Sequence, residues 1–283
     1  MVQNNAIYQK FPGYVFFPEN NNYSEFDLLV LFLSTSEIKV PDVSNFARSI
    51  RDKFVAVLVS YREVLEQIPV WDKENKKREI EGIPYDVQGI LLTIRYEAYL
   101  NSIYGLCENL SFLVKKFYSN DVLSNSFDRQ KKQFLNDKQK LDESYSKILE
   151  KTDWYVEVHA IRSEATHFLT GLISTSESSG PCYSYKKAYN QRKGAPNEIN
   201  IENVEDHVKE IQRKLVLFLS EYSKHFINLK FNKDKTVRVI CLRTDDGNEL
   251  FYSITLNDYL NKRPRKCDTL EFDCPHKEKC KFI

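Results

Sequence analysis

From Asp86 to Tyr118 the chain reads DVQGILLTIRYEAYLNSIYGLCENLSFLVKKFY, and no other run constrains the fold as strongly. Its apolar residues recur at helical spacing over more than one side. At 1.5 Å per residue, a helix from Pro84 to Tyr118 spans about 50 Å. A helix that is apolar on two sides has to be covered on two sides, which makes this one the spine of a bundle. Arg95, Glu97, Glu108 and Asn109 interrupt the apolar surface, and buried polar groups need partners. Glu97 or Glu108 can pair with Arg162 on a later helix, or they are ordinary bundle polarity. Cys107 reads as a small core residue.

Further helices fit around that spine. Pro41-Asp42 opens one through Ile68, with Phe46, Ile50, Phe54, Leu58, Tyr61 and Leu65 as its stripe. The charged stretch WDKENKKREIEGIP reads as a solvated connection, with Lys76, Lys77 and Arg78 as the alternative RNA contacts. Residues 119–151 suggest one or two surface helices edged by Phe134, Leu141, Tyr145, Ile148 and Leu149. Arg129, Lys131, Lys132, Lys138 and Lys140 there form a solvated face or contact phosphate. A last bundle helix runs from Asn203 to Leu229, with His207 and His225 as surface or packing residues.

The ends differ from the middle. Residues 1–40 read as irregular, and FDLLVLFL at Phe26 to Leu33 is a strand or a helix. Thr236 to Arg243, the turn TDDGNE and Leu250 to Thr255 alternate as a β-hairpin turning at Asp246-Gly247. A short helix is expected at Leu256 to Leu260. The division is an N-terminal segment 1–40, a bundle 41–229, and a hairpin with a Cys-rich tail 230–283. The fold class expected is all-α, with that small hairpin appended. Its 8 glycines against 17 tyrosines and 18 phenylalanines favour helices over a loop-rich fold. A net charge of +1 gives no global pull toward nucleic acid, so any RNA contact must be local. The start MVQNNAIYQK lacks a signal-peptide pattern, and no apolar run is long enough to span a membrane. The expectation is a soluble cytoplasmic protein with reduced cysteines.

Chemistry concentrates at TDWYVEVHAIRSEATHFLTGL, Thr152 to Leu172. Thr152 or Asp153 can cap a helix there. Val158, Ile161, Ala165, Phe168, Leu169 and Leu172 form its core stripe. Of five histidines in the chain, His159 and His167 lie on this helix. Arg162 and His167 suit work on phosphodiesters: arginine offers a fixed fork of donors, and histidine exchanges a proton near neutral pH. RNA brings its own nucleophile, the 2′-hydroxyl. An ideal helix sets the two side chains about 140° apart, so they converge by bending or through a second chain. The alternative is an Arg162 paired with a carboxylate and a His167 that caps or lines the core.

The segment Arg162-Ser-Glu-Ala-Thr-His167 resembles the Arg-x4–6-His signature of the HEPN superfamily, all-helical bundles found among prokaryotic ribonucleases and toxins. The surrounding WYVEVHAIRSEATHF has the same texture, although Ser163 stands where many members have Asn. The resemblance implies an HEPN-like bundle over roughly residues 40–229 and metal-independent endoribonuclease activity. In that reading Arg162 stabilises the phosphate and His167 acts as base or acid. Ser163 and Glu164 support them, and His159, outside the motif, is dispensable. It also implies a homodimer with both motifs on one cleft, an antitoxin or nucleotidyltransferase partner, and a setting in stress or phage defence. The rival is a non-catalytic bundle that binds nucleotide, RNA or a protein partner.

Two further stretches carry candidates. STSESSGPCYSYKKAYNQRKGAPNE reads as the most loop-like part of the chain. There Tyr183 and Tyr185, with Lys186, Lys187 and Arg192, can stack bases and hold phosphates. The tail CDTLEFDCPHKEKCKFI holds Cys267, Cys274, His276 and Cys280, a chemically complete tetrahedral zinc set. Its CPHKEKCKF portion resembles part of a CCCH zinc finger without the closing histidine; the alternative is a tail of reduced thiols.

Overall fold

The computed structural model describes residues 25–26, 29–30, 33, 43–136, 142–167, 171–176, 180–186, 198–231, 236–243, 249–255, 257 and 266–267. These residues are mostly helical. The chain divides into two compact units, Asn45–Tyr222 on one hand and Met1–Ser44 with Ser223–Ile283 on the other. The first and last of the three expected segments thus fall in one unit.

In the first unit, α1 spans Val43–Glu81, a unit boundary falling in its first turn. Its buried residues Ala47, Ile50, Phe54, Val57, Ser60, Val64, Ile68, Trp71 and Asn75 step by three and four without a gap, and buried Gln67 flanks Ile68. The stripe is turned slightly from the one expected: Phe46, Leu58 and Leu65 are only half-buried. The helix also continues past Ile68, through Pro69 and the charged stretch expected to be a connection. Trp71 and Asn75 keep the buried stripe going, and Lys76 pairs with Asp72 one turn back on the wet side. The charge was the solvent face of a helix.

A short turn leads to α2, Val87–Tyr118. Asp86 caps it by accepting from the Gly89 amide at 2.7 Å, and also accepts from Trp71 Nε1 at 3.3 Å, tying α2 to α1. Ser119 ends the helix in the left-handed region, φ 48°. From Leu92 to Phe117 the helix is buried at Tyr96, Tyr99, Leu100, Ile103, Leu106, Cys107, Leu110 and Val114, more than one side of the cylinder. It is the spine the sequence implied.

Two short helices follow, α3 at Phe127–Asn136 and α4 at Glu143–Glu150. They are not merely superficial: Phe127, Phe134, Tyr145 and Leu149 are buried, with the Phe134 and Tyr145 rings edge-to-face at 4.9 Å. The motif helix α5 runs over Trp154–His167 and packs on α2. The Thr152 hydroxyl donates back to the Leu149 carbonyl at 2.6 Å instead of capping α5. Val158 and Ile161 are buried as expected, but the helix is shorter than its pattern. Leu172 already lies on a strand and is exposed; Phe168 and Leu169 fall outside the described residues.

That strand opens a sheet absent from the all-α expectation. β1 (Leu172–Ser176), β2 (Gly180–Lys186) and β3 (Glu198–Ile201) pair antiparallel in that order. Ile173 faces Tyr183, Tyr183 faces Ile201 and Tyr185 faces Ile199, so one face carries every buried residue among them. The period-two pattern was present in Cys182-Tyr-Ser-Tyr-Lys186 but short, and Ser, Gly and Pro around it suggested a loop. Asn203 then caps α6, Val204–Lys230, by accepting from the Glu205 and Asp206 amides.

In the second unit, helical Phe26, Leu29, Val30 and Leu33 are buried at the spacing i, i+3, i+4, i+7, which decides for helix over strand. Lys224 pairs with Glu25 at 3.2 Å. The hairpin appears as expected: β4 (Thr236–Arg243) pairs antiparallel with β5 (Glu249–Thr255), and a bulge separates Ile240 from Leu242. A third strand, β6 at Lys266–Cys267, pairs with β5. Of the helix expected at 256–260, only Asn257 is described, and it is helical.

Candidate functional site

The polar positions of α2 that interrupt its apolar surface fall into line. Glu97, Asn101, Tyr104 and Glu108 are separated by four, three and four residues, which puts them on one face. Along that face α5 contributes Tyr155, His159 and Arg162, again three or four residues apart. Arg162 is half-buried, and its Nε donates to Asn101 Oδ1 at 3.3 Å. Its guanidinium carbon lies 4.2 Å above the centre of the Tyr104 ring. That cation–π contact contributes about 0.5–2 kcal/mol and helps hold the charge in place. Among the described residues, no carboxylate lies within ion-pair distance of Arg162. The first half of the structural alternative, an arginine spent on a carboxylate, is not what these residues form.

Glu108 stands one turn beyond Tyr104 and feels the Arg162 charge without pairing with it. Burial raises its carboxyl above the ordinary range. Hydrogen bonds from the Phe127 amide (3.0 Å) and the Tyr155 hydroxyl (3.3 Å), and then the Arg162 charge, draw it partly back. Glu97 pairs elsewhere. Its Oε1 accepts from the Gly171 amide at 2.7 Å and the Tyr183 hydroxyl at 2.9 Å, and burial again raises its carboxyl. A side chain at Gly171 would run into the Tyr183 ring, so that glycine is what lets the chain pass so close.

His167 is the last residue of α5, and its side chain lies outside the described residues. Ser163 and Glu164, expected to support the pair, are 5 % and 4 % exposed and face the interior, away from the half-open side that carries Arg162. The Glu164 charge raises the phenol of Tyr185 on β2, after the larger effect of burial. These two residues belong to the buried side of α5.

A second cluster went unseen in the sequence. His207 on α6, expected to be a surface or packing residue, bridges two others. The Tyr96 hydroxyl lies 2.9 Å from its Nδ1, and Glu157 Oε2 lies 3.1 Å from its Nε2. A carboxylate only accepts, so the network assigns the proton to Nε2 and leaves Nδ1 to accept from Tyr96. The imidazole pulls the Glu157 carboxyl below its ordinary range against the opposing effect of burial. No sequence pattern joins residues 96, 157 and 207. Asn101 and Tyr104 could have been found as continuations of the Glu97–Glu108 face.

The remaining candidates divide cleanly. Tyr183 and Tyr185 are 1 % and 4 % exposed, so neither can stack a base. Their rings belong to the core face of the sheet. Lys186 ends β2 with a side chain outside the described residues, as do Lys187 and Arg192 entirely. Cys267 sits on β6, but its side chain, Cys274, His276 and Cys280 lie outside the described residues. Among the described residues, no three His, Cys, Asp or Glu side chains are grouped to hold a metal, and no helix is long and apolar enough to cross a membrane. No family model, curated protein or solved structure matches the chain.

Proposed function

We propose that the protein is a metal-independent endoribonuclease of HEPN type, acting on RNA in the cytoplasm in stress or phage defence. The observation that carries this reading is Arg162. It is held by Asn101 and lies over the Tyr104 ring, and its two terminal amino groups have no carboxylate partner among the described residues. A fixed, half-open guanidinium with unspent donors suits a phosphodiester whose charge grows in the transition state. His167 supplies the proton transfer, and a second copy of the chain brings its own Arg162 and His167 to the same cleft.

An exposed apolar stripe supports the second copy. Val87, Ile90, Leu91 and Ile94 are exposed at helical spacing on α2, and Tyr85 just before them is 80 % exposed. The line continues through exposed Ala98 to Asn101, and so to Arg162. Stable interfaces bury ~800 Å² on each partner, and a stripe of this kind forms the centre of one. The same stripe favours the second reading, a bundle without chemistry that binds a protein partner. The tail is proposed to hold a structural zinc through Cys267, Cys274, His276 and Cys280. Metal analysis should then find about one zinc per chain, lost in Cys274→Ser.

The test is cleavage of a broad RNA panel with chelator present. The ribonuclease reading expects undiminished cleavage that leaves 2′,3′-cyclic or 3′-phosphate ends, from a protein of twice the chain mass by light scattering. A dimer that cleaves nothing transfers the case to the binding reading.

A further inference from the structure

The Arg162 face carries a second histidine, and it is not the one in the motif. His159 precedes Arg162 by three residues, so the two side chains leave α5 about 60° apart. Tyr104 adjoins both. Its ring centre is 5.8 Å from that of His159 and 4.2 Å from the guanidinium carbon. Those distances bound the separation of guanidinium carbon and imidazole centre at about 10 Å, a gap that a phosphate accepting bonds of ~2.9 Å can bridge. His159, Tyr104 and Arg162 are all half-buried and Asn101 is exposed, so the face is open to a ligand while its parts are held. Among the described residues, the titratable and charged groups near it include Tyr155 and Arg162 on α5, Tyr104 and Glu108 on α2, and Asp128 on α3, which acts on Glu108.

We infer that His159 is a catalytic residue of this site, the base that takes the 2′-hydroxyl proton of an RNA strand whose phosphate is held by Arg162. The inference rests on the ribonuclease reading and deepens it. The freed 2′-oxygen attacks phosphorus, the bond from phosphorus to the 5′-oxygen breaks, and that oxygen takes a proton from His167 or water. The products are a 2′,3′-cyclic phosphate and a 5′-hydroxyl, with no oxidant, reductant or metal required. The face supplies what such a step needs: a cation on the phosphate, an imidazole on the same side of the same helix, and a ring that fixes the cation.

The experiment compares wild type, His159→Ala, His159→Gln and His167→Ala on a short oligoribonucleotide across pH 5–8. A parallel titration of the wild type and Arg162→Ala with uridine 3′-phosphate is followed through the imidazole signals. Both His159 variants should lose ~10²-fold or more in kcat with KM little changed, together with the acid limb of the wild-type pH profile. The His159 signals should shift with ligand in wild type and not in Arg162→Ala. Wild-type kcat and an intact acid limb in folded His159→Gln, with loss confined to His167→Ala, overturn the role of His159 and leave the ribonuclease reading standing. Immobile His159 signals under saturating ligand overturn it too. A wild type that cleaves no RNA removes the ribonuclease reading and this base with it.

Discussion

Two polar clusters lie on α5, and they differ in what is left over. Around His207 both ring nitrogens are spent, on Tyr96 and Glu157, and the Tyr96 side chain is fully buried. Around Arg162 the contacts hold the guanidinium but leave donors facing a half-open surface. A closed network like that of His207 rigidifies the packing of α2, α5 and α6 and leaves the imidazole no free nitrogen for a ligand. The open one gives up some stability for availability. Titratable groups at helical spacing thus divide by satisfaction rather than by residue type.

The largest expected effect tests the open side. On the proposed ribonuclease reading, Arg162→Ala should lower RNA cleavage by ~10²–10⁴-fold, with Arg162→Lys recovering little of it because an ammonium lacks the planar fork. Its melting temperature should move by only the few degrees that about 1 kcal/mol produces. A variant that unfolds while turning over normally would reverse the comparison.

His207→Ala should do the opposite. It strands the Tyr96 hydroxyl and opens a void, costing about 2–4 kcal/mol in denaturant unfolding, while the folded fraction cleaves at close to the wild-type rate. A smaller cost, comparable to that of a surface histidine, would show that the network is not holding the helices.

Gly171→Ala sharpens the boundary between the two. The new methyl meets the buried Tyr183 ring, and moving that ring disturbs both hydrogen bonds to Glu97. Overpacking of this kind costs about 1–3 kcal/mol, and Tyr183→Ala in the same chain should relieve part of the clash.

The smallest effect is one of sign with pH. The Glu157 carboxyl is depressed by His207, so its stabilisation is present above the unfolded carboxylate pKa and is lost as pH falls through the lower folded value. Burial raises Glu97, whose contribution is full below the unfolded pKa and is lost as pH rises through the folded value. From pH 3 to 7, Glu157→Gln should therefore fall increasingly behind wild type, and Glu97→Gln should gain on it. Parallel urea midpoints for the two variants would sink this assignment.

Local sequence settled much of the framework. The 3–4 spacing of α1, α2 and α6, the caps at Asp86 and Asn203, and the alternation of β4 and β5 are all decided by neighbours within a few residues. Boundaries were less legible where composition misled: the charged end of α1 looked like a connection, and the strand β2 looked like a loop because serine and glycine surround it. Arg162 drew attention through its motif, whereas its holders Asn101 and Tyr104 show in the sequence only as a continuation of the Glu97–Glu108 face.

What the sequence determined by itself is the set of amphipathic elements, because helical and strand periodicity need only the chain's own geometry. Tertiary structure alone decided which polar groups are spent. Residues 96, 157 and 207 meet only once three helices pack, and burial of Tyr183 and Tyr185 follows only when one sheet face has a core to cover. Satisfaction of a hydrogen bond is a property of two distant partners and the water excluded between them, and no periodicity along one segment encodes it.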